Sequence, residues 1–228
     1  RDAMQQLLNS RKRLAPVRLE LKNKISGNFL RFLCEKLELT KVQVFITSSP
    51  LTMSYAFGLE DKISGSVKSE LVYPPFEPQP SSDIRLNESI IKQLQKKDLL
   101  LSYPYESMDP FLKLLKEASY DNSVISIKIS IYRLAKNAKI VDYLCAAAEN
   151  DKDVTVLIEL RARFDEQNNI DWSQRLEQAG CRIIYGFEGY KVHSKVCLIT
   201  RRERGKISYI TQIGTGNYNE KTSKQYTD

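Results

Sequence analysis

One histidine, His193, stands among 228 residues, and the four cysteines, Cys34, Cys145, Cys181 and Cys197, show no C-x-x-C pairing. Tetrahedral zinc needs four such ligands at close spacing, so this scarcity argues against a zinc centre. Three of the cysteines lie in apolar runs, where a reduced, buried thiol is expected. No apolar run reaches the roughly 20 residues a membrane-spanning helix requires, and no signal-peptide pattern is present. There is no internal repeat and no low-complexity tract. The expected location is the cytoplasm or the periphery of the inner membrane.

What is present is charge. Lys and Arg number 35 against 28 Asp and Glu, a net +7, with 42% hydrophobic residues. That composition suits a globular chain of one large or two modest domains, with enough length for a core. A basic balance favours polyanionic partners. The charge is uneven: residues 181–228 carry nine Lys/Arg against four Asp/Glu, whereas residues 76–180 carry 14 against 17. The basic excess therefore accompanies His193, and residues 1–75, with 12 against 7, carry an equal one.

The start, RDAMQQLLNSRKRLAP, reads as cut from something larger. In VRLELKN, Val17, Leu19 and Leu21 alternate with charged residues, which predicts a half-buried strand. SGNFLRFLCEKLEL spaces Phe29, Phe32, Leu33 and Leu37 as a helix does, and VQVFIT is a short strand. Residues 73–83, YPPFEPQPSSD, hold four of the eight prolines. Proline fixes φ and removes a donor, so a boundary belongs here. The predicted domains are 1–78, a small α+β segment, and 79–228. Pro110 suits the first turn of a helix PFLKLLKEAS, with Ser107 or Asp109 placed to cap it.

From residue 124 the rhythm is β-α-β-α-β. VISIKISIY, DVTVLIEL and CRIIYG are strand-like; KIVDYLCAAAEN and WSQRLEQAG are helical, the second with Gly180 as its stop. KVHSKVCLIT and KISYITQI read as two strands joined by a charged turn. The fold class is α/β (α+β over the whole chain), with a mixed, largely parallel sheet.

Chemistry-bearing residues gather late in the chain. Strand periodicity puts His193 and Lys195 on one face. A neutral imidazole, near its reference pKa of about 6.5, can attack phosphorus, while Lys and Arg neutralise the phosphoryl oxygens. Gly214-Thr215-Gly216-Asn217 interrupts an apolar run; its glycines permit close backbone approach to an anion, and Asn217 can donate to His193 or to phosphate. Tyr218 and Tyr226 are candidates to stack on a base, or simply to pack. Arg133 and Arg163 each follow a strand, where α/β sheets collect ligands. Guanidinium matches phosphate oxygens, but either arginine has Asp165 and Glu166 as alternative partners. Those two acids are also the candidates to hold magnesium.

The pattern H-x-K followed by G-T-G-N resembles half of the phospholipase D superfamily motif. Where that motif has Asp, five residues after the lysine, this chain has Thr200, which argues against an ordinary phosphodiesterase. LSYPYESMDPFLKLLKEAS, SIKISIYRLAKNAKIVDYL, VTVLIELRARFDEQNNIDWSQRLEQAG, GYKVHSKVCLITRRE and IGTGNYNEKTSKQYTD, in that order, resemble the long, histidine-phosphorylating polyphosphate kinases, and APVRLEL fits the same family. The resemblance implies reversible transfer of the ATP γ-phosphate to polyphosphate. It makes His193 the phosphorylated residue, with Lys195 and Asn217 beside it. Tyr226 would contact ATP near Gly214, Thr215 and Gly216. Arg133 and Arg163 would lie at a magnesium-phosphate site, binding phosphate rather than Mg2+ itself.

On this likeness residues 1–78 are the end of a head domain, and 79–228 most of a first phospholipase-D-like catalytic domain. Family members are much longer, with a further amino-terminal domain and a second catalytic domain, and are expected to be homo-oligomers. ATP, ADP and polyphosphate are the implied partners; nucleic acid is not. Two rival readings remain: a phospholipase-D-like phosphodiesterase or nuclease, and a non-catalytic module that binds polyanions.

Overall fold

The computed structural model describes residues 1–11, 13–74, 76–162 and 165–227. The chain divides into two compact units, one of Gln6–Phe76 and one of Arg1–Gln5 with Glu77–Asp228.

In the first unit, β1 (Leu19–Leu21) and β2 (Val44–Ile46) pair in parallel, joined by α2 (Gly27–Leu37). Ser26 caps α2, its hydroxyl accepting the Phe29 N–H at 3.3 Å. Phe29 and Phe32 stack with ring centroids 6.3 Å apart, yet both are half exposed. Helix α1 (Asp2–Arg11) enters this unit at Gln6, and a short α3 (Gly65–Leu71) lies near its end. Leu39 is the one fully buried residue among those described in Gln6–Phe76.

The larger unit is built on five strands: β3 (Val124–Ile131), β4 (Asp153–Ile158), β5 (Arg182–Ile184), β6 (Lys195–Glu203) and β7 (Lys206–Gly214). Their order across the sheet is β5-β4-β3-β6-β7. β3, β4 and β5 are parallel, β6 is antiparallel to β3, and β7 is antiparallel to β6. Four strands thus point one way and β6 alone runs against them. Two right-angled facts of sequence explain the crossovers and the hairpin. Helices α6 (Lys139–Glu149) and α7 (Glu166–Gln178) return the chain between parallel neighbours, as parallel pairing requires. The β6–β7 turn places Arg204 and Gly205 at φ 51° and 80°, the handedness a two-residue hairpin loop demands.

Central strand β3 alternates. Ile127, Ile129 and Ile131 are buried on one face; Ser126, Lys128 and Ser130 take the other, where both serines are buried and Lys128 is exposed. α6 buries Ile140, Val141, Leu144 and Cys145, and α5 (Asp109–Tyr120) buries Phe111, Leu112, Leu114 and Leu115. Helices α5, α6 and α7 lie side by side, against β3, β4 and β5 in turn. Pro110 occupies the first turn of α5, and the Ser107 hydroxyl accepts the Asp109 N–H at 3.1 Å. α7 begins at Glu166, earlier than the WSQRLEQAG stretch predicts, and Gly180 follows it at φ 92°. Ahead of α5, the short α4 (Ile90–Leu94) offers its first N–H groups to Glu117, which accepts from Ile90 and Ile91 at 3.0 and 3.1 Å.

Burial holds three thiols protonated. Cys197 and Cys181 are each pushed up to about 12, and Cys145 is raised as well, chiefly by desolvation. All four cysteines are free. Among the described residues, no helix is long and apolar enough to cross a membrane.

Candidate functional site at the end of the central strands

Sheet topology brings the chemistry to one edge. β3 and β4 run toward it and release Tyr132, Arg133 and Glu159 there. β7 ends there at Gly214, and antiparallel β6 begins there at Lys195. Lys195 and Gly214 are direct ladder partners, so the His-x-Lys and Gly-Thr-Gly-Asn stretches, distant in sequence, become neighbours.

His193 and Lys195 do not share a strand face, contrary to the alternation expected of them. β6 starts at Lys195, and His193 lies in the loop before it. The reason is where the loop's backbone finds partners. Val192 N–H donates to the Glu159 carboxylate at 2.9 Å. The Ser130 hydroxyl donates to Ser194 C=O at 2.6 Å and accepts the Val196 N–H at 3.1 Å. Side chains of β3 and of the residue following β4 thus satisfy groups that a strand would satisfy by pairing. His193 is exposed, whereas Lys195 is buried; its ammonium donates to the His193 C=O at 2.6 Å.

Tyr132 is the hub of this edge. Its ring meets the His193 imidazole edge-on, centroids 5.1 Å apart. The Lys191 and Lys195 ammonium groups lie 5.3 and 5.6 Å from its centroid, and the Arg133 guanidinium 5.6 Å. The electron-rich ring face eases the packing of three cations around one imidazole. Arg133 also pairs with Asp165, Nε to Oδ2 2.9 Å, the local partner considered for it. Arg163 lies outside the described residues.

Behind the hub sits Asn169, fully buried. Its amide donates to the C=O of Tyr132 and of Glu159, both at 2.9 Å. Glu159, 5% exposed, accepts the Arg161 N–H on its other oxygen at 2.8 Å. Sequence reasoning passed over Tyr132, Glu159 and Asn169. The available signal was an acid closing the apolar run DVTVLIEL, since a buried carboxylate must find donors.

The Gly-Thr-Gly-Asn turn is organised by tyrosines. Tyr218 is buried and stacks on Phe111 with centroids 5.0 Å apart, its hydroxyl bonded to Gln212; it packs rather than offering a face to a base. Tyr226 lies against Gly216, in the space a side chain there would need, and its hydroxyl donates to Asn217 C=O at 2.7 Å. Gly216 therefore admits a tyrosine ring. Among the described residues no hydrogen bond joins Asn217 to His193, and the Asn217 side-chain oxygen is buried without a partner. Beyond the turn, Gly214 and Thr215 border an apolar cavity of about 520 Å³ lined also by Leu94, Leu99 and Phe111. His193 is not part of its lining.

The described residues do not fit a protein-held Mg2+. No cluster of three acidic, His or Cys side chains occurs among them. Asp165 is committed to Arg133, and both Glu159 oxygens are committed to backbone N–H groups. A hard cation needs several free oxygen ligands.

A mixed sheet with helices returning its parallel strands, and a His-x-Lys loop laddered to a glycine turn, defines a phospholipase-D-like α/β domain. The family model for polyphosphate kinase C-terminal domain 1 matches residues 89–228, and that for the polyphosphate kinase middle domain matches residues 1–59. The chain belongs to the polyphosphate kinase family. It is 43% identical over 222 residues to a polyphosphate kinase of Bacillus cereus, covering 97% of this chain and 32% of that protein. A Pseudomonas aeruginosa polyphosphate kinase is 40% identical over 215 residues, covering 93% and 30%. The crystal structure of polyphosphate kinase from Porphyromonas gingivalis superposes with a TM-score of 0.69 at 30% identity, covering 94% of this chain and 32% of that one. The chain thus spans about a third of the length of these relatives.

Proposed function

We propose that this chain is part of an enzyme that reversibly transfers the γ-phosphate of ATP to polyphosphate, with His193 as the transient carrier. The observation that carries the reading is the Tyr132 hub: an exposed imidazole with Lys191, Lys195 and Arg133 gathered at the same ring. In the first step a ring nitrogen of neutral His193 attacks the γ-phosphorus. A P–N bond forms, the bond to the bridging oxygen breaks, and ADP leaves. In the second step a terminal oxygen of polyphosphate attacks the same phosphorus, the P–N bond breaks, and the imidazole returns to its starting state. The three cations offset charge on the transferring phosphoryl group in both directions. Arg133 and Arg163 serve phosphate oxygens. Magnesium arrives on the nucleotide, as part of the substrate.

Tyr226 and the Gly214–Asn217 turn are the proposed nucleotide contacts. Asn217 joins the site only if its side chain turns from where it now lies. A cytoplasmic setting, within reach of ATP, suits this chemistry. The test is incubation with γ-labelled ATP and Mg2+, reading acid-labile, base-stable label on the protein. The expected result is about one label per chain in the wild type and none in His193→Ala. Label that persists at equal stoichiometry in the variant would refute the role of His193.

A further inference from the structure

We propose that Glu159 is a positioning residue, which fixes the loop carrying His193 by holding the Val192 N–H. This rests on reading His193 as the phosphate acceptor. Three observations support it. First, Glu159 is 5% exposed and sits just past the end of β4, in sequence step with the half-buried Thr155 and Leu157 and more buried than either. A carboxyl group buried in such a place needs dedicated hydrogen-bond partners. Second, both its oxygens have them, and one donor lies 33 residues away: Arg161 N–H at 2.8 Å and Val192 N–H at 2.9 Å. The first bond is local and shapes the β4 exit. The second reaches across the edge to the residue directly before His193. Third, the backbone of Glu159 is itself immobilised. Its N–H donates to Ile131 C=O at 3.0 Å, and its C=O accepts from Asn169, which holds the Tyr132 C=O with the same amide nitrogen.

Glu159 therefore couples three things that must stay in register: the β4 terminus, the Tyr132 hub and the His193 loop. A hydrogen bond to a charged acceptor is stronger and more directional than one to a neutral group. That suits a loop whose neighbouring glycines, Gly186 and Gly189, hold φ at 64° and 77° and would otherwise leave the backbone free to wander. Glu159 acts without touching substrate. Its effect reaches the chemistry only through where His193 sits.

The test uses the fact that His193 is the only histidine of the chain, so its imidazole Cε1–H gives one resonance. In Glu159→Gln the amide can accept one backbone N–H but presents its own NH2 to the other. The expected result is a shifted or broadened His193 resonance and Val192 amide exchange faster by at least about tenfold, the loss of one modest hydrogen bond. Methyl resonances of Ile127 and Val156 in the core stay in place. With ATP, the rate of His193 labelling falls while ATP affinity holds. A His193 resonance and Val192 exchange matching wild type overturn the proposal. Should the variant fail to fold, wild type decides: a Val192 amide exchanging as fast as that of Lys191 overturns it, and clear protection supports it. The NMR readouts need no ATP. They decide the positioning role even where wild type takes no label, a result that would count against the phosphohistidine alone.

Discussion

A thiol reports its surroundings through its proton. Cys197 and Cys181, pushed up to about 12 by burial, are ionised at pH 8 to the extent of about one part in ten thousand. Cys145 is raised in the same direction, while Cys34 is only half-buried. Since the thiolate is the nucleophile, a disulfide reagent at pH 8 should modify one cysteine quickly, Cys34, and the other three only as the protein opens. Denaturant should release four equivalents at once. Three fast equivalents in the native protein would contradict the packing around β6 and α6. Ser130 makes a second residue-scale case. Its hydroxyl serves Ser194 C=O and Val196 N–H together, so Ser130→Ala strands a donor and an acceptor. The expected loss is about 1–3 kcal/mol in urea unfolding, toward the lower end because Ser194 is exposed and its carbonyl can find water.

At the scale of elements, the Gly216 turn and Tyr226 are one device. A methyl group at Gly216 would collide with the Tyr226 ring, so Gly216→Ala should cost about 1–3 kcal/mol by overpacking. Tyr226→Ala removes the obstacle along with the bond to Asn217 C=O. In the Tyr226→Ala background, adding Gly216→Ala should then cost almost nothing, a non-additivity that a double-mutant cycle in urea reads directly. Additive costs would show that the glycine serves something other than this ring. The same turn marks how far sequence reasoning reaches. The β-α-β-α-β succession, Pro110 in its first turn, Gly180 as a stop and the charged hairpin were legible because each depends on residues within a few positions of one another. The starting point of β6 was not. KVHSKVCLIT alternates well enough to be a strand from Lys191 onward. What cuts the strand short is Glu159 and Ser130, whose bonds to the loop span more than 30 residues. Arg133 beside Asp165 was foreseeable as a local pair. Tyr132 as the hub was not, because its neighbours converge only once β3, β6 and the loop are assembled.

The two units of the molecule differ in what holds them. The continuous apolar core of the larger unit runs from Ile84 to Tyr218, with Tyr226 packed against it. In the smaller unit α1, α2 and α3 bury no residue completely, and Phe29, Phe32, Phe57 and Tyr73 stand half exposed or more. Apolar burial is the main force opposing chain entropy, so stability should reside almost wholly in the larger unit. A chain of residues 77–228 is expected to unfold cooperatively in urea, with a midpoint stability within about 1 kcal/mol of the full chain, and to keep the His193 resonance where the full chain has it. Residues 6–76 alone should lack a cooperative transition, for want of buried area. The larger unit also retains Tyr132, Glu159, His193, Lys195 and the Gly214–Asn217 turn, so any phosphohistidine formed by the full chain should form on 77–228 at a comparable rate. A collapse of either cooperativity or labelling on removing the first 76 residues would mean that they stabilise the proposed site by a route other than shared core. Retention of both would locate fold and proposed chemistry in the same 152 residues, the length of 77–228.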